Sequence, residues 1–409
     1  MINKFLKSSI VLLSLASCLT SCDKNDKSEA KEETNSKADA IILEVKYEYV
    51  PDKRVALFEV ESYKKDGKLI LKGDSNLPDA VNSLKSKLAS QNIEYTDSLH
   101  LLPEGELKNT PKALVKISVA NIRSNPAHSA ELATQATMGT PLNVLKHEGD
   151  WYLVQTPDKY LAWVDKGGIQ LMTEAEMQTW LNSEKLIYTN TFGTAYSEAS
   201  DKSQVVSDLV AGDVVEKVTE KGAFYEVKYP SGATAYIKKE EAKLYADWVK
   251  SLNPSEENLV NTSRSLMGLP YLWGGTSPKG VDCSGFTKTI YFLNGIVLPR
   301  DASQQVHTGK LIDSTRNFEK LIPGDLLFFG RKATDSTSEK VVHVGMWIGN
   351  QQFIHSLGNV HISSVDTTAA DFDEYNYNRY LRTKRILPDS DKVIRLSESD
   401  LYGTMNAQK

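Results

Sequence analysis

Apolar positions change their spacing several times along the chain, and the changes divide it. The opening "MINKFLKSSIVLLSLASCLTSC" sets Lys4 and Lys7 before a short apolar run that ends in small residues. From Asp23 to about Ala38 apolar residues nearly vanish. Residues 40–108 then alternate in "AIILEVKYEYV" and "VALFEVESY", continue through "KLILKG", and end with the amphipathic "LPDAVNSLKSKLASQ". This pattern predicts a small α+β unit. Residues 120–168 and 193–241 echo one another, with "MGTPLNVL" matched by "AGDVVEKV", "GDWYLV" by "GAFYEV" and "YLAWV" by "TAYIK". Short alternating strands between Gly, Pro and Asp turns predict two small β-barrels, at 112–170 and 183–247. The helical "TEAEMQTWL" should link them within 171–182. From 253 to 388 the pattern is a helical segment, the region around Cys283, and the strands "DLLFFG", "VVHVGMWIG" and "QFIHSL", an α+β domain. Residues 389–409 read as a short surface extension. A multidomain α+β chain is expected, in keeping with its 409 residues.

A net charge of −5 argues against nucleic acid as the main partner. The first segment has the layout of an export signal, with an apolar core too short to span a bilayer. Its tetrapeptides Leu15-Ala16-Ser17-Cys18 and Leu19-Thr20-Ser21-Cys22 both resemble the lipobox of bacterial lipoproteins. Cys22 is favoured over Cys18 because the polar run starts directly after it. Residues 1–21 would then be a signal peptide and 22–39 a flexible tether, with the protein lipid-anchored at the membrane in the bacterial cell envelope. Of three cysteines, only Cys283 would remain as a free thiol in the mature chain. An unpaired thiol in an oxidising compartment points to reactivity.

Cys283 lies in "GVDCSGFT". Phe286, Ile290 and Leu293 follow at helical spacing and Gly295 supplies a C-terminal cap, so Cys283 is placed at a helix N-terminus. There the helix dipole should favour a thiolate, the attacking species, and backbone N–H groups could hold an oxyanion. Gly280 and Gly285 should let a substrate backbone approach. A base is needed, and four of the seven histidines (His307, His343, His355, His361) lie in this domain. In "VVHVGMWIGNQQFIHS", pairing Ile348 with Gln352 across the Gly-Asn-Gln turn would set His355 opposite Gly345, with His343 on the same face. The backbones of the two histidines would then be about 7 to 8 Å apart. This suggests His343 as general base toward Cys283 and His355 as the residue that orients it. Neither CxxC nor HExxH spacing is present, so neither a metal nor another cofactor is expected.

"GLPYLWGGTSPKGVDCSGFT", "LPRDASQQ", "IPGDLLFF" and "HVGMWIG…FIHS" together resemble the successive motifs of the NlpC/p60 cysteine peptidases, and the two barrels resemble the bacterial SH3-like domains that accompany cell-wall enzymes. The resemblance implies a papain-like fold for 253–388, with Cys283 as nucleophile, His343 as base and His355 as third member. It also implies cleavage of peptidoglycan stem peptides between γ-D-glutamate and the L-diamino acid. Members with paired SH3-like domains require a free N-terminal L-alanine and release L-Ala-γ-D-Glu. A buried ammonium needs a carboxylate opposite it and walls against a longer chain. Asp301 is the candidate carboxylate, with Glu131 and Tyr160 of the first barrel reaching toward the amine. Ala302 stands where the family pattern often has Ser. Tyr271, Asp282 and Ser284 should line the same groove. The alternatives are a broader wall hydrolase or amidase acting on intact polymer, and a wall-binding scaffold.

Overall fold

The computed structural model describes residues 36–386 and 390–403. The expected signal peptide, Cys18, Cys22 and most of the tether lie outside the described residues.

The amino-terminal unit opens with helix Ser36–Tyr49, which starts inside the expected tether and replaces the strand expected from "AIILEVKYEYV". Ala38, Ile41, Ile42 and Val45 are buried in the unit's core. Their spacing of three and four residues fits one face of a helix, and this period prevails over the short alternation. Strands Phe58–Lys65 and Lys68–Ser75 form a hairpin. Its turn, Asp66-Gly67, has both φ angles positive, as a two-residue hairpin turn requires. Helix Pro78–Ser90 then crosses over to Thr96–Leu101, which pairs parallel to the second strand.

Each barrel has seven strands. The first contains Lys112–Val115, Val119–Arg123, Leu132–Thr137, Pro141–Glu148, Trp151–Gln155, Leu161–Asp165 and Ile169–Met172. The second contains Lys185–Tyr188, Phe192–Tyr196, Val205–Val210, Val214–Lys221, Phe224–Lys228, Thr234–Lys238 and Ala242–Leu244. Numbered within each barrel, the neighbour order is 7-1-4-5-6-2-3 in both. Helix Glu174–Asn182 joins them. Thr173 and Glu176 close its first turn in a reciprocal capping box, and Met177, Trp180 and Leu181 are buried.

In the carboxy-terminal domain, helices Glu256–Ser265 and Cys283–Leu293 share a core with a six-stranded sheet. The sheet runs Lys310–Asp313, Tyr380–Arg385, Leu326–Arg331, Lys340–Gly349, Gln352–Leu357, Asn359–Ser364. Phe286 and Ile290 of the second helix pack with Phe328, Val344, Met346 and Ile354 of the sheet. Burial of each such side chain contributes about 1.5 to 3 kcal/mol, which fixes the helix start against the sheet.

The segment Thr276–Lys279 ties this domain to both barrels. Thr276 exchanges backbone and side-chain hydrogen bonds with Gln135 of the first barrel. Lys279 donates to Ser118 of the first barrel and pairs with Asp208 of the second, each at 2.8 Å. A further pair, Lys288 with Asp158, is buried between the catalytic helix and the first barrel.

The carboxy-terminal segment differs from the surface extension expected for 389–409. Ile394–Arg395 pairs with Ile296–Val297. Leu396 and Tyr402 are buried with Trp180, Tyr245 and Trp248. Its apolar residues are too few and too scattered to show a period, so burial against distant elements was not visible locally.

Candidate active site

Asp282 is the N-cap of helix Cys283–Leu293. Its Oδ1 accepts the Gly285 N–H at 2.7 Å and its Oδ2 accepts the Gly274 N–H at 3.0 Å. Cys283 therefore opens the helix, and Gly295 follows its end with φ +88°. The backbone N–H groups of Val344 and Ser284 point at its sulfur, which puts the thiol against the strand that carries His343. Burial pushes this thiol up to about 12, the nearby Asp282 carboxylate adds to the rise, and those two N–H groups oppose it. Desolvation thus works against the thiolate that the helix start was expected to favour, and the N–H groups of Val344 and Ser284 work for it.

The hairpin brings His343 and His355 together. Gly349, not Ile348, pairs with Gln352, and the register shifts between Trp347 and Gly349. Ile348 is absorbed as a bulge, so Met346 still opposes Ile354 and the pairing around His355 is the one expected. A Cβ at Gly345 would come within 2.8 Å of Phe353 and 3.2 Å of the His355 Cβ, so a side chain there would push the Phe353 ring and press on His355. His343 Nε2 lies 2.8 Å from His355 Nδ1, and His355 Nε2 lies 3.1 Å from Ser363 Oγ. The Asp373 carboxylate stands 3.9 Å from the same His355 nitrogen.

Both imidazoles are buried. Burial, with Arg379 and His361 nearby, holds His343 down at about 3. Burial, with His343 and His361, holds His355 well below its ordinary value. Two neutral rings share one proton along their hydrogen bond. Asp373 favours the proton on His355 Nε2, so His355 Nδ1 accepts from His343 Nε2–H. That tautomer leaves His343 Nδ1 with its lone pair, able to take a proton.

The other expected residues are distributed as follows. Tyr271 is half-buried; desolvation and the neighbouring Cys283 and Asp282 push its phenol up to about 12. Asp282 and Ser284 flank the sulfur, but their polar atoms are engaged within the protein. Arg300 donates to Asp282 Oδ2 at 2.6 Å, to Oδ1 at 3.2 Å, and to Ser284 Oγ at 3.1 Å. Tyr160 reaches across from the first barrel and donates to Asp301 Oδ2 at 3.1 Å. The same oxygen accepts from Arg54 of the amino-terminal unit at 2.7 Å. Glu131 is exposed and accepts the indole N–H of Trp273 from the carboxy-terminal domain. Gly280 and Gly285 pack against their own chain: a Cβ at Gly285 would sit 1.9 Å from the Gly275 carbonyl oxygen, and one at Gly280 would sit 2.7 Å from Leu272. Their small size serves the loop that presents Cys283 rather than the approach of a substrate.

Several residues of this constellation escaped the sequence reading. Arg300 adjoins Asp301 in "LPRDASQQ", its only local trace, and the structure buries it between the helix cap Asp282 and the Asp301 carboxylate. Gln305 of the same segment accepts from Thr287 Oγ1 at 2.8 Å and donates to the Ser284 carbonyl at 3.0 Å, locking the segment to the catalytic helix. Ser363 and Asp373 lie beyond the hairpin and carry no motif. Among the described residues no group of three or more metal-ligating side chains is present.

Residues 268–379 match the model of the NlpC/P60 family, and residues 118–170 match that of the bacterial SH3 domain. A gamma-D-glutamyl-L-lysine dipeptidyl-peptidase of Bacillus cereus is 33% identical over 55% of this chain and 67% of its own length. Dipeptidyl-peptidase 6 of Lysinibacillus sphaericus is 28% identical over 62% of this chain and 92% of its own. The crystal structure of an NlpC/P60 family protein from Bacillus cereus covers 68% of this chain and 100% of its own, with 27% identity and a TM-score of 0.57. With its thiol at a helix start packed against the strand that carries His343, and with this degree of likeness, the chain belongs to the NlpC/P60 family of cysteine peptidases.

Proposed function

We propose that the protein hydrolyses the bond between γ-D-glutamate and the L-diamino acid in peptidoglycan stem peptides that bear a free N-terminal L-alanine, releasing L-Ala-γ-D-Glu. The names of its relatives support the bond and the dipeptidyl product. The observation that carries the chemistry is the hydrogen-bonded series His343–His355–Ser363, with Cys283 packed against Val344 on the strand that bears His343. In this reading His343 Nδ1 takes the thiol proton as the sulfur attacks the γ-glutamyl carbonyl; burial favours the neutral form of each group, so the proton moves as the attack proceeds. Backbone N–H groups at the helix start stabilise the oxyanion. The imidazolium then protonates the departing amine, the C–N bond breaks, and water delivered with His343 as base releases the acyl group from sulfur. His355 holds the tautomer this requires. Asp301 and Tyr160 form the wall that receives the substrate ammonium. Tyr271 borders the reacting carbonyl, while Asp282 and Ser284 support the site through Arg300.

Replacing Cys283 with Ala should abolish turnover of L-Ala-γ-D-Glu-L-Lys, a loss on the order of 10⁶-fold, with the melting temperature preserved. Appreciable product from that variant, assayed by amine release, would refute the nucleophile.

The membrane anchor is likewise a proposal and rests on the sequence around Cys22. Cells given radiolabelled palmitate should label the native protein and not a Cys22→Ala variant; equal labelling of both removes the assignment.

A further inference from the structure

Asp301 Oδ2 is the point where three domains meet. The first barrel supplies Tyr160, the carboxy-terminal domain supplies Asp301 itself, and the amino-terminal unit supplies Arg54, which is 247 residues away in sequence. Arg54 lies in the turn between helix Ser36–Tyr49 and strand Phe58–Lys65. Its guanidinium is fixed before it reaches the site. Nε donates to Asp52 Oδ1 at 2.8 Å and Nη2 to Asp52 Oδ2 at 2.7 Å, a fork on a single carboxylate. Burial would raise Asp52, but hydrogen bonds from Arg54 and Gln304 prevail and hold it down at about 2. The turn is itself anchored beside Tyr160. Leu161 N–H donates to the Arg54 carbonyl at 2.8 Å, and Gln155 Nε2 donates to the Val55 carbonyl at 3.1 Å. The remaining nitrogen, Nη1, bridges Asp301 Oδ2 at 2.7 Å and Ser303 Oγ at 2.9 Å.

We propose that Arg54 is a specificity-determining positioning residue through which the amino-terminal unit completes the subsite for the substrate's free ammonium, by fixing the Asp301 carboxylate. This rests on the reading of Asp301 given above. A carboxylate offers about four acceptor positions; Arg54 and Tyr160 take two on Oδ2, and the capping box of the following helix turns the carboxylate toward the Gln304 N–H, which leaves one. The nearest guanidinium nitrogen on the Oδ1 side, Arg300 Nη1, is 3.9 Å away, beyond hydrogen-bond range. Charge points the same way. The cluster sets Arg54 and Arg300 against Asp52, Asp282 and Asp301, two cations against three carboxylates, and one added positive charge balances it. The L-alanyl ammonium is such a charge, and an acetylated amine is not. Arg54 therefore does not stand in for the ammonium. It restrains the carboxylate that receives it, so less ordering is left for the substrate to supply.

The test compares steady-state kinetics of the full mature chain and its Arg54→Ala, Arg54→Lys, Asp301→Asn and Arg54→Ala/Asp301→Asn variants. The substrates are L-Ala-γ-D-Glu-L-Lys and its N-acetyl form, and each variant is melted alongside. For Arg54→Ala the expected result is a KM for the free-amine peptide raised about 10-fold with kcat within about 2-fold, the pattern of lost ground-state binding. Arg54→Lys should recover part of that loss, and Arg54→Ala should cost nothing further once Asp301 is Asn. An unchanged KM, a lowered KM, an equal cost in the Asp301→Asn background, or a loss that only tracks a lowered melting temperature would each overturn the role of Arg54. If the wild-type protein cuts free and acetylated peptides equally, the ammonium reading fails first and this inference falls with it. Discrimination by wild type without a KM effect in Arg54→Ala sinks this inference alone.

Discussion

The two barrels share one strand order and differ in what they present. Hydrogen bonds that close corresponding turns establish which residues match. Thr156 N–H donates to the Tyr160 carbonyl at 3.0 Å, as Tyr229 N–H does to that of Ala233 at 2.8 Å. Ser124 N–H donates to the Glu131 carbonyl at 2.9 Å, as Ser197 N–H does to that of Gln204 at 2.8 Å. The left-handed residue of the first of these turns is Lys159 in one barrel and Gly232 in the other. Where the first barrel has Tyr160 at Asp301, Glu131 at Trp273 and Asp158 at Lys288, the second has Ala233, Gln204 and Ser231. One scaffold thus packs its turn side chains against the carboxy-terminal domain and, in its second copy, leaves the matching positions without such contacts among the described residues and serves as a structural platform. Tyr245 and Trp248, just beyond the last strand of the second barrel, pack with Tyr402 from the chain's end. The fold supplies the loops, and a few side chains decide whether they meet a substrate.

That contrast can be broken in two ways. Truncating Tyr402 to Ala should cost about 3 to 5 kcal/mol of stability, because it empties a buried aromatic cluster shared by three elements. Denaturant unfolding should show that loss, while kcat/KM well below the transition stays near wild type; a loss below 1 kcal/mol would mean the platform is not held by this segment. Converting Tyr160 to its second-barrel counterpart, Ala, should lower kcat/KM for the free-amine peptide by about 10- to 100-fold, through the lost hydrogen bond to a charged group. The reciprocal Ala233→Tyr should change it less than about 2-fold, since surface substitutions away from such contacts are close to neutral. Equal effects of the two changes would erase the distinction between the barrels.

Local signals in the sequence reached the catalytic helix and the histidine hairpin. The start of the helix at Cys283 was legible because Phe286, Ile290 and Leu293 set its period and Gly295 follows its end; that Asp282 caps it emerged only in the structure. The facing of His343 and His355 followed from strand alternation, and it survived a bulge because the extra residue, Ile348, lies on the turn side of both. Helix Ser36–Tyr49 was misread since Ile41, Ile42 and Val45 satisfy a helical stripe as well as a short alternation, and only packing chose between them. The raised thiol of Cys283 depends on how deeply the finished fold buries it, which no motif records. Arg54 reaches the site from 247 residues away, while Ser363 and Asp373 come from the strand and turn just beyond the hairpin, and nothing in their own neighbourhoods marks them. Arg300 was masked by the more conspicuous aspartate beside it.

The central claim is that a thiol peptidase here measures its substrate from a free amino end. The most direct measurement is the ratio of kcat/KM for L-Ala-γ-D-Glu-L-Lys to that for its N-acetyl form, followed by release of L-lysine. A site that places Asp301 and Tyr160 against an ammonium should favour the free amine by at least about 100-fold. Equal rates on the two peptides would contradict it.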